Sequence, residues 1–189
     1  MTDVLKHFSD TGALLNGHFV LSSGLHSPQY LQCALALKHP ADAAHFGRSL
    51  AEQFRGQHID LVASPAIGGI IIGYATAAAL DAPFMWTERE NGTMTLRRGF
   101  SLEKGERVLV VEDVITTGGS TRECIAALEE RGAQIVAAAS IIDRSDGKAD
   151  VGVPRTSLAA LDVPVYSPGD CPLCRDGIML VKPGSRVSR

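Results

Sequence analysis

The sequence predicts a single-domain α/β protein with a mostly parallel central sheet flanked by helices. Short apolar runs alternate with segments of ten or more residues that have helical spacing, a pattern typical of parallel sheets with right-handed crossovers. The clearest run, Val108–Val111, leads directly into Glu112 and Asp113. Buried strands of parallel sheets have this uninterrupted apolar character. With 189 residues, 45% of them hydrophobic and 21% charged, the chain is long enough to bury an ordinary core.

Charge and composition argue against several classes of protein. The formal net charge is −3 and no basic block is present, so nucleic acid and acidic membrane surfaces are not indicated as partners. The longest apolar stretch, Ala63–Leu80, is interrupted by Ser, Pro, Gly, Tyr and Thr and does not fit a membrane span. The N-terminus has no signal-peptide pattern, and the four cysteines are unevenly spaced. We therefore expect a cytoplasmic protein with reduced thiols.

The first part of the chain is predicted to begin with an amphipathic helix over residues 3–15. Two short strands around a Ser/Gly/Pro turn are predicted within residues 17–34, a pattern that an edge hairpin of any protein would also show. A helix is predicted over Ala41–Phe54 and ends before Gly56.

The remainder of the chain repeats strand and helix. Strands are predicted at Ile59–Ser64, at Ala82–Thr87, from Gly105 to the acid pair, at Gln134–Ile142 and at Ser157–Leu161, with helices over 70–80 and 119–131. The helix over 70–80 is apolar nearly all round, which suits a core and an interface equally. Residues 88–99 carry mixed charges and two glycines, which indicates a mobile loop or a weak hairpin. An irregular tail follows the last strand.

The stretch from Glu112 to Thr121 carries the strongest functional signal. Two adjacent carboxylates follow a predicted strand, where open α/β sheets bind their ligands. The turn from Thr116 to Thr121 then combines four hydroxyls with unobstructed backbone N–H groups at a helix N-terminus, which suits a phosphate group. An N-capped helix without a ligand is the alternative, but a cap accounts for one hydroxyl. Neither the P-loop nor the dinucleotide-binding glycine pattern fits.

Two further segments suit an anionic ligand. The small residues of Pro65–Gly69 separate a predicted strand from a predicted helix, so their backbone N–H groups are accessible to phosphate oxygens. A tight turn that needs glycine for packing is the alternative. Arg89, Arg97 and Arg98 lie in the 88–99 segment, and guanidinium forks match phosphate geometry. A solvated surface hairpin is the alternative for this segment.

The remaining candidates carry weaker signals. Arg144, in Asp143-Arg144 after a predicted strand, is suited to clamp a planar carboxylate, with a surface ion pair as the alternative. Cys171-Pro-Leu-Cys174 supplies at best half of a zinc site, because the chain has no second cysteine pair, and packing of the tail is the alternative. The six histidines show no metal-ligand spacing and are expected at the surface or the edge of the core. Cys33 and Cys124 are expected to be buried small hydrophobes.

Four motifs, in this order, resemble those of the type I phosphoribosyltransferases, and specifically of the orotate branch. They are Gly17-x-Phe19-x-Leu21-x-Ser23-Gly24-x-x-Ser27-Pro28-x-Tyr30, Ser64-Pro65-Ala66-x-x-Gly69, Glu112-Asp113-Val114-Ile115-Thr116-Thr117-Gly118 and Asp143-Arg144. The match covers about residues 10–145, and the cysteine pair of the tail is similar to that of short bacterial and archaeal-type members. The central motif is characteristic of the superfamily, whereas the first and last favour the orotate branch.

The resemblance implies a type I phosphoribosyltransferase fold, with a small hood from about residues 10–35 plus the C-terminal part and a core of about residues 36–150. It implies transfer of the 5-phosphoribosyl group from phosphoribosyl pyrophosphate (PRPP) to orotate, which yields orotidine 5′-phosphate and pyrophosphate in pyrimidine biosynthesis. A purine-base phosphoribosyltransferase and a non-catalytic PRPP-sensing regulator are the alternatives. The family also implies a homodimer, and Mg²⁺ carried by PRPP near Glu112 and Asp113 without a dedicated ligand set.

The same resemblance assigns roles to individual residues. Glu112, Asp113 and Arg89 are the expected catalytic residues, with the two acids on the ribose hydroxyls. The expected PRPP-binding residues are Glu112, Asp113, Val114, Ile115, Thr116, Thr117, Gly118, Gly119, Ser120, Ala66, Ile67, Gly68, Arg89, Arg97 and Arg98. The expected orotate-binding residues are Thr116, Arg144, Ser23 and Tyr30.

The sequence departs from the family pattern in three places. Gly68 stands where many members have Lys, Ser22 stands where many have Lys or Arg, and Asn91–Leu96 replaces a loop that contains Lys and His. We therefore expect Arg97 or Arg98 in place of a Lys or His proton donor. No arrangement for a covalent nucleophile is indicated, so catalysis is expected from positioning, charge stabilisation and a loop that closes to exclude water.

Overall fold

The structure is a computed structural model that describes residues 3–21 and 23–183. The chain divides into two compact units, a smaller one from residues 1–36 and 162–189 and a larger one from residues 37–161. The larger unit contains the acid pair, both glycine-containing turns and the basic segment, whereas the N-terminal motif and the cysteine pair belong to the smaller unit. Among the described residues, no helix has the length and apolar character needed to cross a bilayer.

The smaller unit begins with a helix, which is followed by a β-hairpin and a short helical turn. In chain order these are α1 (Val4–Asp10), β1 (Leu14–Val20), β2 (His26–Leu31) and α2 (Cys33–Ala36). The strands β1 and β2 pair antiparallel as a two-stranded sheet. The predicted pair of strands around the Ser/Gly/Pro turn is therefore confirmed.

The predicted helix over residues 3–15 is correct in its first half and wrong in its second. The Asp3 side chain accepts two backbone N–H groups of the first turn, at 3.0 and 3.2 Å, and caps α1. The helix stops at Asp10 because Gly12 adopts a φ of 67°, which ends right-handed helical geometry. Leu14 and Leu15 pair with β2 instead, since pairing in a sheet overrides their local helical spacing.

The larger unit consists of a six-stranded sheet and three helices. In chain order they are α3 (Pro40–Glu52), β3 (Leu61–Pro65), α4 (Gly69–Leu80), β4 (Phe84–Glu90), β5 (Thr93–Leu96), β6 (Arg107–Ile115), α5 (Gly119–Glu129), β7 (Gln134–Asp143) and β8 (Arg155–Ala160). The strand order is β5-β4-β3-β6-β7-β8, and every neighbouring pair is parallel except β4 with β5. The mostly parallel sheet that the sequence predicts is confirmed.

The direction in which the chain crosses the sheet reverses between β3 and β6. From β3 the chain continues through α4 to β4 on one side, and from β6 it continues through α5 to β7 on the other. Right-handed crossovers that run in opposite directions place α4 and α5 on opposite faces of the sheet. A crevice therefore opens at the carboxyl ends of β3 and β6, where sheets of this kind bind ligands.

The apolar run of β6 is buried on both faces. Val108 and Val110 pack in one cluster with residues of α5. Leu109 and Val111 are also fully buried, because alternate side chains of a strand point to opposite faces and α4 packs against the other face. Burial on both faces explains why the run contains no polar residue before the acid pair.

Residues 84–96 form a β-hairpin at one edge of the sheet. The strand β4 extends to Glu90 and pairs with β5 across Asn91 and Gly92. Both turn residues have a positive φ, 51° and 87° respectively, which is the geometry of a type I′ hairpin turn. Of the two alternatives that the sequence leaves open for this segment, the structure adopts the hairpin.

The tail adds backbone pairing to the hairpin of the smaller unit. It contains the 3₁₀ turn Pro168–Asp170 and a one-turn helix, α6 (Pro172–Arg175), which Cys171 precedes. On either side of these turns, Tyr166 bridges to His26 and Val181 bridges to Phe19. The predicted irregular tail is therefore anchored at two points by backbone hydrogen bonds.

Candidate active site

The turn after β3 lies directly against the acid pair that ends β6. A Cβ atom placed on Gly68 would lie 2.7 Å from Oδ2 of Asp113, and one placed on Gly69 would lie 3.0 Å from Oε1 of Glu112. Both distances are too short for an ordinary side-chain contact. A side chain on Gly68 would have to displace the Asp113 carboxylate, and one on Gly69 would also meet the backbone carbonyl oxygen of Val111 at 3.0 Å. The approach brings the two phosphate sites predicted from the sequence together at the carboxyl ends of β3 and β6.

Each of the two turns leads into a helix whose first N–H groups have no side-chain cap. The N-cap residues are Gly68 for α4 and Gly118 for α5, and neither helix has a capping hydrogen bond from a side chain. Uncapped N–H groups at the N-terminus of a helix form an anion-binding site. The alternative that Ser120 and Thr121 act as caps is wrong, because both lie within α5.

The turn between the acid pair and α5 presents its hydroxyl groups to solvent. Thr116, Thr117 and Ser120 are all exposed. Gly118 adopts a φ of 74°, and a Cβ there would lie 2.7 Å from Cγ1 of Val151, so glycine is required on both counts. The three exposed residues thus lie beside the uncapped N-terminus of α5, where one ligand can contact both.

The two carboxylates of the acid pair differ in their surroundings. Glu112 is 8% exposed, whereas Asp113 is half-buried. Burial, and then the charge of Asp113, raise the pKa of Glu112 well above its usual value. The N–H of Val114 donates to Oδ1 of Asp113 at 2.8 Å, which orients that carboxylate. Burial and the neighbouring carboxylate therefore both disfavour the ionised form of Glu112 in the ligand-free site.

Arg144 lies at the end of the strand next to the acid pair. The β6–β7 pairing extends to Ile115 and Asp143, and the N–H of Arg144 donates to the carbonyl of Ile115 at 2.8 Å. Asp143 is buried and pairs with Arg155 at 2.7 Å. Burial opposes ionisation, but hydrogen bonds from Ser145 and Arg155 outweigh it and lower the pKa of Asp143. Asp143 is therefore an anchor for the loop that contains Arg144.

The three arginines of the basic segment form ion pairs on or beside the hairpin. The pairs are Arg89 with Glu123, Arg97 with Glu90 at 3.1 Å, and Arg98 with Glu88 at 2.8 Å. The arginines are exposed, and exposed ion pairs contribute little to stability, so an anionic ligand can compete with the glutamates. Through Glu123, Arg89 contacts the helix that follows the hydroxyl-rich turn.

Two predicted orotate contacts belong to the smaller unit. Ser23 lies in the turn between β1 and β2, where its Oγ accepts the N–H of Leu25 at 3.4 Å. Tyr30 lies in β2, with its ring centroid 5.9 Å from that of Phe19. A contact of either residue with orotate stays a prediction. Ser22, one of the departures from the family pattern, lies outside the described residues.

The sequence reasoning missed two features of the larger unit. The Ala66–Ile67 peptide bond is cis, and the sequence gives no signal for it because the second residue is not proline. The ion pair between Arg155 and Asp143 was also missed. The sequence shows an arginine just before the predicted last strand but does not identify its partner. The pairing of β8 with β7 places Arg155 next to Asp143.

Cys124 offers no nucleophile to the acid pair. It lies in the core cluster between the sheet and α5, and burial raises the pKa of its thiol to about 12. The reactive form of a cysteine is the thiolate, so this residue is inert. The predicted burial of Cys124 and of Cys33 is confirmed.

Comparison with known proteins identifies the family. Residues 36–158 match the model of the phosphoribosyl transferase domain. An orotate phosphoribosyltransferase of Caldicellulosiruptor bescii is 52% identical over 182 residues, which is 96% of each chain. One from Thermotoga maritima is 53% identical over 176 residues, 93% of this chain and 94% of the relative. The chain belongs to the orotate phosphoribosyltransferase family.

Solved structures of this family share the fold. The orotate phosphoribosyltransferase of Aeropyrum pernix matches with a TM-score of 0.70 and 30% identity, over 84% of this chain and 94% of that one. The Mycobacterium tuberculosis enzyme in complex with PRPP matches with a TM-score of 0.66 and 26% identity, over 84% and 95%. An adenine phosphoribosyltransferase at 20% identity shares the fold alone, with a TM-score of 0.62 over 70% of this chain and 88% of that one. The predicted type I phosphoribosyltransferase fold is confirmed.

The raised pKa of Glu112 predicts a pH-dependent cost to stability. A native acid with a raised pKa contributes stability below its unfolded-state pKa, here 4.5, and loses that contribution as the pH rises through the native pKa. Glu112→Gln removes this titration and keeps the side-chain shape. We expect the free energy of unfolding of the variant to rise relative to that of wild type as the pH is raised from about 4.5 towards about 8. Urea unfolding of the ligand-free proteins across this range measures the difference.

Glu130→Gln is the matched control, because Glu130 is exposed at the end of α5. Its stability difference from wild type should stay constant over the same range. A Glu112→Gln difference that does not change with pH would contradict the electrostatic account of the acid pair.

Proposed function

We propose that this chain transfers the 5-phosphoribosyl group of PRPP to orotate and releases pyrophosphate. The observation that carries the proposal is the approach of Gly68 to Asp113, which joins two uncapped helix N-termini at one acid pair. PRPP has phosphate at one end of its ribose and pyrophosphate at the other, so its binding requires two anion sites with polar groups between them. Relatives that are more than half identical are named orotate phosphoribosyltransferases.

The proposed roles follow the order of groups along PRPP. The turn from Thr116 to Ser120 binds the 5-phosphate through its exposed hydroxyls and the first N–H groups of α5. Glu112 and Asp113 accept hydrogen bonds from the ribose hydroxyls. The N–H groups of Ile67 and Gly68 bind the pyrophosphate at the N-terminus of α4, whereas the N–H of Ala66 donates to the carbonyl of Thr87 at 2.7 Å and holds the turn in place.

We also propose that Mg²⁺ accompanies PRPP. The donors fit this ion, because carboxylate oxygens are hard ligands and Mg²⁺ is commonly held by one or two carboxylates together with phosphates. The space beside Asp113, which a Cβ on Gly68 would fill, is left open by the glycine. Asp113, with Glu112 next to it, would hold the ion together with the substrate. When bound, Mg²⁺ neutralises part of the charge of the leaving pyrophosphate.

The reaction breaks the bond between the anomeric carbon and the pyrophosphate oxygen and forms a bond from that carbon to a ring nitrogen of orotate. That nitrogen releases its proton to solvent or to the departing pyrophosphate. The ribose gains positive character as the bond breaks, and the charges of Glu112 and Asp113 balance it. Arg89 stabilises the departing pyrophosphate by exchanging Glu123 for phosphate oxygens. Arg97 and Arg98, which directly follow the same hairpin, are the next candidates. With Cys124 inert, the proposal involves direct displacement without a covalent enzyme intermediate.

Arg144 is proposed to select orotate through the carboxylate of that base. The anchoring of its loop by Asp143 and Arg155 holds the Arg144 backbone beside the end of β6. A guanidinium can donate two parallel hydrogen bonds to a carboxylate, a group that adenine, guanine and hypoxanthine lack. Thr116, at the neighbouring strand end, is the second proposed contact.

The assignment of the reaction is tested by incubating the protein with Mg²⁺ and PRPP and with orotate, adenine, guanine or hypoxanthine in turn. We expect loss of orotate absorbance with stoichiometric release of pyrophosphate, and no release with the purines. Release with a purine instead would favour a purine-base enzyme. PRPP binding without release of pyrophosphate for any base would favour a regulator and contradict the proposal.

Arg144→Ala tests the basis of the selectivity in the same assay. We expect the KM for orotate to rise by at least about tenfold, since a charge-assisted hydrogen bond contributes about 1.5–3 kcal/mol, while the KM for PRPP changes little. Arg131→Ala, which removes an exposed arginine just beyond α5, controls for the loss of charge. An unchanged KM for orotate would rule out this role of Arg144.

We further propose that the chain forms a homodimer through α4. This helix contains no charged residue, and Ile72 faces the core while Ile71 and Tyr74 are 45% and 67% exposed. The exposed side borders a largely apolar cavity of about 710 Å³ between α3, α4 and β4. A helix that is apolar on both sides needs a partner on its exposed side, and a second copy supplies a matching apolar surface.

Sedimentation analysis tests this assembly. Wild type should sediment as a dimer, and Tyr74→Glu should shift the equilibrium towards monomer at least tenfold, because it buries a charge in an apolar contact. Gln57→Glu adds the same charge at an exposed loop position and should leave the dimer intact. A dimer that Tyr74→Glu does not weaken would exclude this face as the interface.

A cytoplasmic location is the remaining part of the proposal. All four cysteines are free thiols in the structure, and reduced thiols persist in reducing compartments. Fractionation of the source cells, with the protein followed by antibody, tests this location.

A further inference from the structure

Four potential metal ligands converge within the smaller unit. They are His18 on β1, His26 at the start of β2, and Cys171 and Cys174 on either side of Pro172 and Leu173 in the tail, and their donor atoms all lie within 4.8 Å of one another. The two histidines and Cys171 are buried, and Cys174 is exposed. The sequence shows the cysteine pair as half of a zinc site. In the structure the other two ligands are His18 and His26, which lie about 150 residues earlier in the chain.

Three of the four separations given below match the edges of a zinc tetrahedron, the fourth is slightly short, and no two donor atoms are more than 4.8 Å apart. Nε2 of His18 lies 3.0 Å from Nδ1 of His26 and 3.5 and 3.7 Å from the sulfurs of Cys171 and Cys174, and Nδ1 of His26 lies 3.3 Å from the Cys174 sulfur. With Zn–S near 2.3 Å and Zn–N near 2.0–2.1 Å, tetrahedral geometry requires ligand separations of about 3.3–3.8 Å. A zinc ion therefore fits between these atoms with small adjustments of the side chains.

The hydrogen bond at Nδ1 of His18 determines which ring nitrogen carries the proton and leaves Nε2 free to bind a metal. Nδ1 of His18 lies 2.8 Å from the carbonyl oxygen of Ile178, which can only accept, so this nitrogen carries the proton. The lone pair of Nε2 then points towards the two sulfurs and His26. A backbone carbonyl in this position is the usual outer partner of a zinc-bound histidine, where it orients the ring and sets its tautomer.

Backbone hydrogen bonds join the tail to the hairpin on both sides of the four residues. The N–H of Val181 donates to the carbonyl of His18, and His26 and Tyr166 exchange two hydrogen bonds of 2.9 Å. The tail is thus paired with the hairpin beside each histidine, and Cys171 and Cys174 lie between the two pairing points. The spacing Cys-x-x-Cys around one helical turn is typical of a zinc knuckle.

We propose that these four residues bind one structural Zn²⁺ ion. Two thiolates and two neutral imidazoles balance the charge of the ion, so the complex can be buried without a net charge. Sulfur and imidazole ligands in a tetrahedron select zinc over Mg²⁺ and Ca²⁺, which prefer oxygen. Four protein ligands leave no open position for water, which assigns the ion a structural role.

The size of the smaller unit explains what the ion does. The unit combines a two-stranded sheet, short helices and a tail, and a two-stranded hairpin is marginally stable by itself. Units with small apolar cores commonly depend on a metal or on disulfides. The ion would tie the tail to the hairpin and add its binding free energy to folding.

Metal analysis of the untagged protein tests the proposal. The protein is purified under reducing conditions without chelator from cells grown with zinc, and its metal content is measured by mass spectrometry. We expect about one zinc per chain. Cys174→Ser should lower the zinc content at least fivefold, whereas His39→Gln, which alters an exposed histidine outside the cluster, should retain it.

Cobalt substitution provides a readout that does not depend on a variant folding. Metal-free wild type reconstituted with Co²⁺ should show the intense visible bands of tetrahedral cobalt and a thiolate-to-cobalt charge-transfer band in the near ultraviolet, and addition of zinc should abolish both. Chelation should lower the melting temperature, and zinc should restore it.

Three results would overturn the proposal. The first is a reduced protein purified with zinc that contains less than about a tenth of an ion per chain. The second is a mass two hydrogens lower with Cys171 and Cys174 joined in a disulfide under the same conditions, which would indicate a redox pair. The third is cobalt binding without a thiolate band, which would place the metal elsewhere.

Discussion

The close approach of Gly68 to Asp113 is the constraint on which the proposed site depends. It exists because β3 and β6 are neighbours at the point where the chain reverses its direction across the sheet, so the turns that follow them share one edge. Each turn ends at an uncapped helix N-terminus, and the acid pair lies between the two. A side chain on Gly68 would have to displace the Asp113 carboxylate from its present position, so in this chain the glycine keeps the space beside that carboxylate open.

The burial of the acid pair lowers the stability of the folded chain, as is typical of functional sites. Burying Glu112 beside another carboxylate disfavours its ionised form, and a fold selected for stability alone would avoid this arrangement. Elsewhere at the same edge the charges are satisfied: Asp143 has Arg155 and Ser145, and Arg89 has Glu123. The unfavourable burial of Glu112 therefore lies at the position where a cationic ribose and a metal-bound substrate are proposed to bind.

Local patterns predicted most of the larger unit, because strand and helix periodicity, glycine turns and the position of carboxylates after a strand are all local in sequence. The predicted helix over residues 3–15 is wrong in its second half. These residues have helical spacing, but the positive φ of Gly12 ends the helix and Leu14 pairs with β2. Contacts between distant segments could not be predicted. His18 and His26 have no metal spacing with each other, and their relation to Cys171 depends on how the tail returns to the hairpin.

The most direct test of the central claim is the affinity of Gly68→Ala for PRPP, measured by calorimetry with Mg²⁺ present. The added methyl group must displace the Asp113 carboxylate, so we predict at least tenfold weaker binding, about 1.4 kcal/mol, with little change in the free energy of unfolding. Gly169→Ala, where a Cβ would meet nothing within 4 Å, should bind PRPP as wild type does. Wild-type affinity in Gly68→Ala would contradict the account, because the turn would then not need its glycine beside the acid pair.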